Sequence, residues 1–450
     1  MNIKGEHLFF KKIEIWKLYL AVVLGILLAM SSAIMVRQEL VGFYKLGKIS
    51  KAALFIAELP SNLKRIRRSA IGDFDLRSKE QRFPGVSGFH GNPLNYEAYL
   101  LLSRYDGNIS EAIVELVDLR SFEVIKKWNP DLNQINKSLD FARPENKNHN
   151  EARFNLVHPF LTKDGGLIFQ NGSPLIKIDE NSQLVWHNNE AEFHHSLEQD
   201  HEGNFWIPTA MYPYAVDKKY VGTNLGYADD AITKVSENGE IMFQKSVTNI
   251  LIENNFENLL YQVDSAPFNH DPIHLNDIQP VQSDTDYWKR GDVFISLRHQ
   301  SMIILYRPKT NKIIWVGQGF SFAQHDVDIL DDHRISIFNN NSKTFFDGPQ
   351  VDGHNNIVIY DFKSNTYSKY LDESLKNNEI RTFSAGLSQI LDNGDLFIEE
   401  QNSGRTIYVN KNNSVVWEHV NRAENGLIYS INWSRILYKP EDIKKIHNLL

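Results

Sequence analysis

Residues 291–315 read GDVFISLRHQSMIILYRPKTNKIIW: three short apolar runs, separated by turn residues, that end on an aromatic side chain. Such a pattern is typical of short β-strands joined by tight turns. It recurs five more times, over residues 105–128, 164–186, 202–243, 331–367 and 392–417. The terminal aromatic residues of successive copies stand 50 to 72 positions apart, which is room for four short strands in each copy.

Six such copies predict an all-β fold, a six-bladed β-propeller over residues 85–450, because a closed ring of blades protects its strand edges. Residues 425–438 follow the sixth copy and are predicted to supply the strand that closes the ring. One or two β-sandwiches remain the alternative, since irregular strand spacing imitates repeats. The composition, 42% hydrophobic and 23% charged over 450 residues, excludes a wholly disordered or coiled-coil chain.

The charge balance and the lack of cysteine exclude several kinds of function. With 48 Lys+Arg against 56 Asp+Glu the net charge is -8, so the chain has no basic excess for a phosphate backbone, and we expect no nucleic-acid partner. The chain has no cysteine. This removes disulfides, thiol nucleophiles and thiolate metal ligands from consideration.

The run LYLAVVLGILLAMSSAIMV at residues 18–36 contains no charged residue. As a helix it is about 28 Å long, close to the thickness of the bilayer hydrocarbon, and it exceeds the apolar core of about 7–15 residues in a cleavable signal peptide. We predict a short tail over residues 1–17, a transmembrane signal anchor over 18–36 and a short helical juxtamembrane stalk over 37–84. Basic residues flank the anchor equally on both sides, so charge does not orient it.

Histidines recur at one position of the repeat. His158, His195 and His325 each stand eight residues before a turn position, which is Gly166, Gly203 and His333 respectively. His274 precedes a strand of the same kind, whereas the sixth copy has Gly386 there. Residues that enter the innermost strand of each blade point toward one end of the central channel, so these histidines are predicted to converge.

Two kinds of chemistry suit a cluster of histidines. Three imidazoles can hold Zn²⁺ with an open position. Alternatively, one neutral imidazole can accept a transferred group while the others stabilise its negative oxygens. Arg298, in the same copy as His274, is a planar donor suited to an oxyanion and is costly beside a dication. It favours an anionic substrate.

The ordered segments IHLNDIQPV (273–281), GDVFISLRHQS (291–301), IIWVGQG (313–319) and FAQHDVDILDDHRISIFNNN (322–341) resemble the bacterial arylsulfate sulfotransferase family. That family consists of six-bladed propellers that move a sulfuryl group from one phenol to another without a nucleotide sulfate donor. The resemblance implies that His325 is the sulfated nucleophile, that His274 and Arg298 bind the anion, and that His195 is the remaining catalytic histidine. Where the family pattern usually ends in an FDN-type sequence, this chain has Phe338, Asn339 and Asn340.

The resemblance also implies an aryl sulfate donor, a phenolic acceptor, a sulfohistidine intermediate and neither a cofactor nor a bound metal. Residues predicted to bind substrate are His194, His158, Asn276 and Asn339. His194 adjoins His195, so the sequence leaves open which of the two faces the site. The aromatic residues Phe193, Phe320 and Phe322 are expected to line a phenol pocket or to pack in the core.

The implied location is a single-pass membrane protein with its propeller on the periplasmic or extracellular side. Two alternatives from other classes remain open: a metal-dependent propeller hydrolase, and a non-catalytic, membrane-anchored propeller that binds a partner. The oligomeric state is not indicated by the sequence.

Overall fold

The computed structural model describes residues 14–40, 47–57, 59, 78, 81–138, 155–170, 173–217, 227–261, 269–345 and 348–450. Most of the predicted tail and the middle of the predicted stalk lie outside the described residues. The chain divides into two compact units, one comprising residues 1–73 with 262–269 and the other 74–261 with 270–450.

The first unit contains a long apolar helix. It runs from Ile15 to Leu40 and includes the whole predicted span 18–36. Its segment Ile15–Gln38 has a mean hydropathy of 2.4 with none of its apolar window buried, so by length and composition it is able to cross a membrane. An N-terminal signal sequence satisfies the same criterion. Residues 48–57 form a further helical stretch.

The second unit is built of six antiparallel sheets in a ring of blades, as predicted. From the channel outward, blade one consists of β28 (Arg435–Leu437), β2 (Tyr99–Asp106), β3 (Glu111–Asp118) and β4 (Glu123–Trp128). Blade two consists of β5 (Val157–Leu161), β6 (Leu167–Gln170), β7 (Leu175–Ile178) and β8 (Leu184–Asn188). Blade three begins with two short strands, β9 (Glu192–Phe193) and β10 (Glu198–Gln199), and continues with β11 (Phe205–Ala210), β12 (Asp230–Val235) and β13 (Ile241–Ser246).

Blades four to six follow the same order. Their strands are β14 (Leu275–Pro280), β15 (Val293–Leu297), β16 (Met302–Arg307) and β17 (Lys312–Gln318); β18 (Val327–Ile329), β19 (Arg334–Asn339), β22 (Asn356–Asp361) and β23 (Thr366–Tyr370); β24 (Leu387–Ile390), β25 (Leu396–Glu400), β26 (Arg405–Val409), β27 (Val415–Val420) and β1 (Gly88–Gly91). A hairpin, β20 (Ser342–Phe345) and β21 (Gly348–Val351), extends from blade five.

Short helices connect or cap the blades. The α-helices are Leu132–Ser138, Val247–Glu253, Asp372–Asn377 and Pro440–Leu449, and the 3₁₀ turns are Glu257–Leu260, Arg298–Gln300, Pro308–Thr310 and Gln401–Ser403. The ring closes where β28, from the predicted segment 425–438, pairs with β2 through Leu100 and Ile436. This pairing joins the last strand of the chain to the first blade.

The core lies between neighbouring blades, where the sheets pack face to face. One cluster joins blades three and four and includes Trp206, Ile232, Leu275 and Ile295, all buried. The terminal aromatic residues of the repeat lie in the fourth strand of each blade, counted from the channel, and Trp128 and Trp417 among them are completely buried. The repeat seen in the sequence is therefore a repeat of blade packing.

A carboxylate on one blade accepts a backbone N–H from the innermost strand of the next blade. The pairs are Asp230 with Leu275 (2.8 Å), Asp277 with Val327 (2.9 Å), Asp326 with Ser388 (3.0 Å), and Glu399 with Trp433 and Ser434 (2.6 and 2.7 Å). Buried polar groups normally need such partners. Asp277 and Asp326 therefore hold neighbouring blades in register.

The last part of the predicted stalk contacts blade six. Arg82 pairs with Glu400 at 3.2 Å, and the carbonyl of Phe83 accepts a hydrogen bond from Arg422 at 2.7 Å. The guanidinium of Arg405 lies 4.1 Å from the centre of the Phe83 ring. The division between stalk and propeller at residues 84 and 85 stays a prediction, but attachment to the propeller begins before it.

Candidate active site

Three histidines from three consecutive blades lie together where the innermost strands begin. The ring centre of His195, which precedes β10, lies 5.4 Å from that of His274, which precedes β14. It lies 6.0 Å from that of His325, which precedes β18. We call this cluster the histidine end of the channel.

Two of these rings are held through Nδ1 by an oxygen atom. His325 Nδ1 lies 2.7 Å from Asn340 Oδ1, and His274 Nδ1 lies 2.5 Å from Asp271 Oδ2. An amide or carboxylate oxygen accepts hydrogen bonds, so each Nδ1 carries the proton. Asn340 is held in turn, because its Nδ2 donates to the carbonyls of two residues that precede β24, Thr382 and Ala385.

The third ring is held by its neighbour in sequence. His195 Nδ1 lies 2.7 Å from His194 Nδ1, and His194 Nε2 lies 3.4 Å from Asp230 Oδ1. His195, rather than His194, contacts the other two site histidines. His194, which itself lies next to Asp230, thus holds the His195 ring in place through Nδ1. All three site rings therefore have Nδ1 occupied, which leaves Nε2 for a ligand.

His325 is a buried, uncharged imidazole. Its side chain is fully buried, and its Nε2 has no hydrogen-bond partner among the described residues. Burial and then the positive charge of Arg298 lower the pKa of His325 to about 3. Burial and the nearby cationic groups likewise hold the pKa of His195 well below its usual range. At neutral pH both rings are neutral, and His325 presents a free lone pair.

Arg298 supplies the fixed positive charge of the site. Its Nη1 donates to His299 Nε2 at 2.9 Å, and its Nη2 reaches the carbonyl of Phe383 at 3.4 Å. Its backbone N–H donates to the carbonyl of His274, which ties the two residues across the start of the blade. Burial lowers the pKa of Arg298, although Asp271 opposes this. An arginine nonetheless stays protonated in proteins.

One group in the site has the composition of a metal centre. Ligand atoms of Asp271, His274 and His299 all lie within 4.8 Å of one another. Both His299 nitrogens are engaged, since Nδ1 lies 2.6 Å from the carbonyl of Asp271 and Nε2 accepts from Arg298. His274 Nδ1 is bonded to Asp271. A metal would have to break these bonds beside a guanidinium, so the group fits a hydrogen-bonded network better than a metal site.

His158 lies apart from the three site histidines. Its Nδ1 accepts the backbone N–H of Leu197 at 2.8 Å, its Nε2 lies 3.2 Å from Glu198, and its ring packs on Trp433. His158 of blade two thus accepts a backbone N–H from blade three, as the carboxylates do between later pairs of blades. Burial holds the pKa of His158 well below its usual range.

The predicted eight-residue register of His158 is wrong by one residue. Gly203 and Gly165 both have positive φ, 88° and 77°, and donate to the carbonyl three residues earlier. Gly165 is therefore the equivalent of Gly203, and the adjacent Gly166 misled the count. His158 stands seven residues before it, and a shift of one residue turns a strand side chain to the other face.

The two predicted asparagines differ in their surroundings. Asn276 Nδ2 donates to the carbonyl of Gln324, next to His325, and its buried Oδ1 has no partner among the described residues. Asn339 is bonded through Oδ1 to two backbone N–H groups, of Phe322 and Asn341, and through Nδ2 to Asn356. Asn339 therefore shapes the loop beside the site, whereas Asn276 has a free oxygen.

The three aromatic residues separate in the same way. Phe193 is completely buried in a core cluster, and Phe320 packs on Trp315 and Tyr360. Phe322 is 43% exposed, and the Lys343 ammonium lies 4.4 Å from its ring centre. Phe322 is therefore the most exposed of the three.

Sequence reasoning missed Asn340, Asp271 and His299. Asp271 accepts the backbone N–H of His274 three residues later at 3.1 Å, and an aspartate so placed is a recognisable turn signal. Asn340 carries no such signal, because it reaches His325 through the pairing of β18 with β19. Gly386 takes the histidine position in blade six because a Cβ there would lie 2.8 Å from the carbonyl of Glu399.

Solved structures with similar chain paths are remote. A protein of unknown function from Bacteroides caccae is 13% identical, with a TM-score of 0.45, over 75% of this chain and 98% of its own. Virginiamycin B lyase from Staphylococcus aureus is 10% identical, with a TM-score of 0.35, over 73% of this chain and 87% of its own. With TM-scores below 0.5 these likenesses support no argument about chemistry.

The sequence itself provides the decisive comparison. No curated protein matches the chain. The family model described as arylsulfotransferase (ASST) matches residues 158–422, which include all three site histidines and Arg298. The match covers more than half of the chain and five of its six blades. This protein belongs to the arylsulfotransferase family.

Proposed function

We propose that this protein transfers a sulfuryl group from an aryl sulfate to a phenol through a sulfohistidine at His325. The observation that carries the proposal is the buried, uncharged His325, whose free Nε2 lies among His195, His274 and Arg298. A neutral imidazole with a fixed cation beside it suits attack on an anionic ester.

The transfer takes two displacements. In the first, the lone pair of His325 Nε2 forms a bond to sulfur, the bond from sulfur to the aryl oxygen breaks, and that oxygen leaves with the electron pair. In the second, the acceptor phenol gives up its proton, which balances the phenolate released in the first step; its oxygen attacks the same sulfur, and the electron pair of the N–S bond returns to Nε2. Asn340 keeps Nδ1 protonated, so the same nitrogen is the nucleophile in every cycle.

The remaining groups stabilise the charge of the transferred group. Arg298 offers planar N–H donors to the sulfuryl oxygens. His274 and His195 contribute Nε2, since Nδ1 of each ring is already bonded. The amide oxygen of Asn276 is available to accept a hydrogen bond from an acceptor phenol or a ligand hydroxyl. These donors act in a buried site, where each interaction is stronger than in water.

The apolar helix supports a further part of the proposal. We infer that Ile15–Gln38 remains attached as a single membrane anchor and that the propeller lies on the periplasmic or extracellular side. The uncharged stretch is longer than a cleavable signal core requires. Protease added to intact cells should digest the propeller, and a mature protein that begins after residue 36 would contradict the anchor.

The adduct itself tests the transfer. Purified protein is mixed briefly with 4-nitrophenyl sulfate, phenol release is followed by absorbance, and the peptides are analysed by mass. We expect a sulfuryl-sized increase on the peptide that carries His325, discharged when a phenol is added, and no such increase in His325→Gln. Nitrophenol release without an adduct, abolished by a chelator and restored by Zn²⁺, would instead support the metal-dependent hydrolase.

A further inference from the structure

Asp271 contacts two side chains of the site through two different groups. Its carboxylate accepts from His274 Nδ1 at 2.5 Å and from the backbone N–H of the same histidine at 3.1 Å. Its carbonyl accepts from His299 Nδ1 at 2.6 Å. The rings of His274 and His299 lie 4.5 Å apart. One aspartate therefore sets the orientation of both imidazoles.

The hydrogen bonds of His299 define its protonation state. A carbonyl only accepts, so His299 Nδ1 carries a proton; an arginine only donates, so His299 Nε2 is unprotonated. His299 is thus neutral and connects the carbonyl of Asp271 to the guanidinium of Arg298. Burial lowers the pKa of His299, which agrees with this state.

His274 is in a different position, although it shares the same aspartate. Its Nδ1 bonds to a carboxylate rather than to a carbonyl, and its side chain is about one third exposed. The Asp271 carboxylate fixes the orientation of the His274 ring, as in other Asp–His pairs. Burial alone would raise the pKa of Asp271, but the bond from His274 lowers it, so the aspartate is ionised.

We propose that Asp271 and His299 are positioning residues of this site: Asp271 holds His274 as the acid that protonates the departing phenol oxygen, and His299 holds Arg298 against the sulfuryl group. This inference rests on the proposed function and deepens it. As His325 forms its bond to sulfur and the S–O bond breaks, the aryl oxygen takes the proton from His274 Nε2. The acceptor phenol returns a proton to that nitrogen in the second displacement.

The charged and titratable groups that face His274 are consistent with this assignment. Asp271 is the anion in contact, while His195, His299, His325 and Arg298 face the ring from the other sides. His195, His299 and His325 are neutral, because burial lowers the pKa of each ring. Asp271 is therefore the anion among these groups, and Arg298 is the permanent cation.

The acid defines a substrate class. Sulfates of activated phenols release a stable phenolate and need no proton, whereas sulfates of weakly acidic phenols need one in the transition state. The paired acid and nucleophile therefore equip this protein for aryl sulfates of unactivated phenols, such as alkyl-substituted phenols. The activated ester 4-nitrophenyl sulfate would not require Asp271.

The test measures phenol release by the full-length protein from three donors: 4-nitrophenyl, phenyl and 4-methylphenyl sulfate. For Asp271→Asn we expect a loss of about 10²–10⁴-fold with the phenyl and 4-methylphenyl esters, the usual size of an acid contribution, and under about tenfold with the nitrophenyl ester. The matched control is Asp332→Asn, which removes the carboxylate of a surface Asp–His pair, 2.6 Å from His333 Nδ1, and should change no ester.

The proposed role of His299 is tested separately, through its contact with the guanidinium of Arg298. His299→Leu should slow all three esters by the same factor, because Arg298 binds the sulfuryl group whatever the leaving phenol. His299→Gln keeps one donor and one acceptor and should recover part of that loss. A loss in His299→Leu that varied with the leaving phenol would overturn the assignment of His299 to Arg298.

The outcomes separate this inference from the proposed function. An equal loss for all three esters in Asp271→Asn, or no loss, overturns the acid while nitrophenol release and the adduct still support the transfer. Activity lost on dialysis against a chelator and restored by Zn²⁺ also overturns it, because Asp271, His274 and His299 would then be ligands. If Asp271→Asn does not fold, the wild-type series decides: rates that fall steeply as the phenol becomes less acidic contradict an acid at His274.

Discussion

The two ends of the central channel both bury polar side chains, but they use them differently. At the histidine end, His195, His274 and His325 precede the innermost strands, and Nε2 of each ring makes no hydrogen bond to another described residue. Farther along the same strands, a cavity of about 340 Å³ is lined by residues that include Glu198, Asp328 and His158. We call it the carboxylate end. There, His158 and Asp326 accept backbone N–H groups, and Glu198 lies close to His158 and Arg435.

The two ends show what distinguishes a buried polar group that stabilises the fold from one that is available for chemistry. A group whose hydrogen bonds are all made within the fold holds the fold together, and one with a free atom aimed at a cluster of donors is available for chemistry. His158 and His325 are both buried histidines with a depressed pKa. In His158 the second nitrogen lies 3.2 Å from Glu198, whereas in His325 it has no partner among the described residues.

Several buried carboxylates near the carboxylate end have a raised pKa. Burial and the charge of Glu198 raise the pKa of Asp277 to about 7, and burial with neighbouring carboxylates raises the pKa of Asp326 and Asp328 well above the usual range. These groups keep protons that the unfolded chain has released. Their role as contacts between blades therefore makes stability depend on pH.

The largest expected effect concerns the nucleophile of the histidine end. His325→Gln should lower phenol release by about 10⁴-fold or more, because it removes the nitrogen that we propose forms the bond to sulfur, as with other catalytic nucleophiles. The free energy of unfolding, measured with urea, should change far less in relative terms. Release at the wild-type rate from a folded variant would refute the contrast between the two ends.

Asn340 tests whether the orientation of that nucleophile matters. Asn340→Ala removes the acceptor of the Nδ1 proton and should lower kcat by about 10–100-fold, the size found when a supporting hydrogen bond of a functional histidine is removed. KM for the donor should stay close to the wild-type value. A change confined to KM would show that Asn340 acts on binding and not on the ring of His325.

His158 gives the complementary test at the carboxylate end. His158→Leu leaves the N–H of Leu197 without an acceptor, so the free energy of unfolding should fall by about 1–3 kcal/mol. Transfer per folded molecule should be retained. Loss of transfer without loss of stability would restore the substrate-binding role that the sequence predicts for His158.

The smallest expected effect is a change in how steeply the free energy of unfolding depends on pH. Because the pKa of Asp277 is raised from 3.8 to about 7, the free energy of unfolding should fall as the pH rises between these values, since only the unfolded state releases the proton. Asp277→Asn still accepts the N–H of Val327 and has no proton to lose. Its unfolding free energy, measured with urea from pH 4 to 8, should decline less steeply, by up to about 1.4 kcal/mol per pH unit.

Most of the fold could be predicted because the blade pattern is local. Apolar alternation, turn residues and the spacing of terminal aromatics all lie within a few dozen residues, and they predicted six blades and the closing segment 425–438. The long apolar helix was equally visible as an uncharged run. The count to the turn failed only at Gly165 and Gly166, where two glycines in a row hid the position with positive φ.

The candidate site was predictable in its residue types and not in its bonding. The repeat and the family resemblance selected His195, His274, His325 and Arg298, and the structure places the three rings within 6.0 Å neighbour to neighbour. Which nitrogen of each ring is free depends on partners that the repeat does not mark. Residues such as Asn340 and His299 became visible only through their contacts.

The amino-acid order was sufficient for the architecture, for the absence of thiol chemistry and for the positions of the histidines in the chain, since these follow from composition and short-range periodicity. The state of each histidine required the folded chain. Asn340 meets His325 across the register of two strands, and Leu197 meets His158 across two blades. A hydrogen bond depends on distances of tenths of an ångström between segments that are remote in sequence, and only the packing of the blades sets those distances.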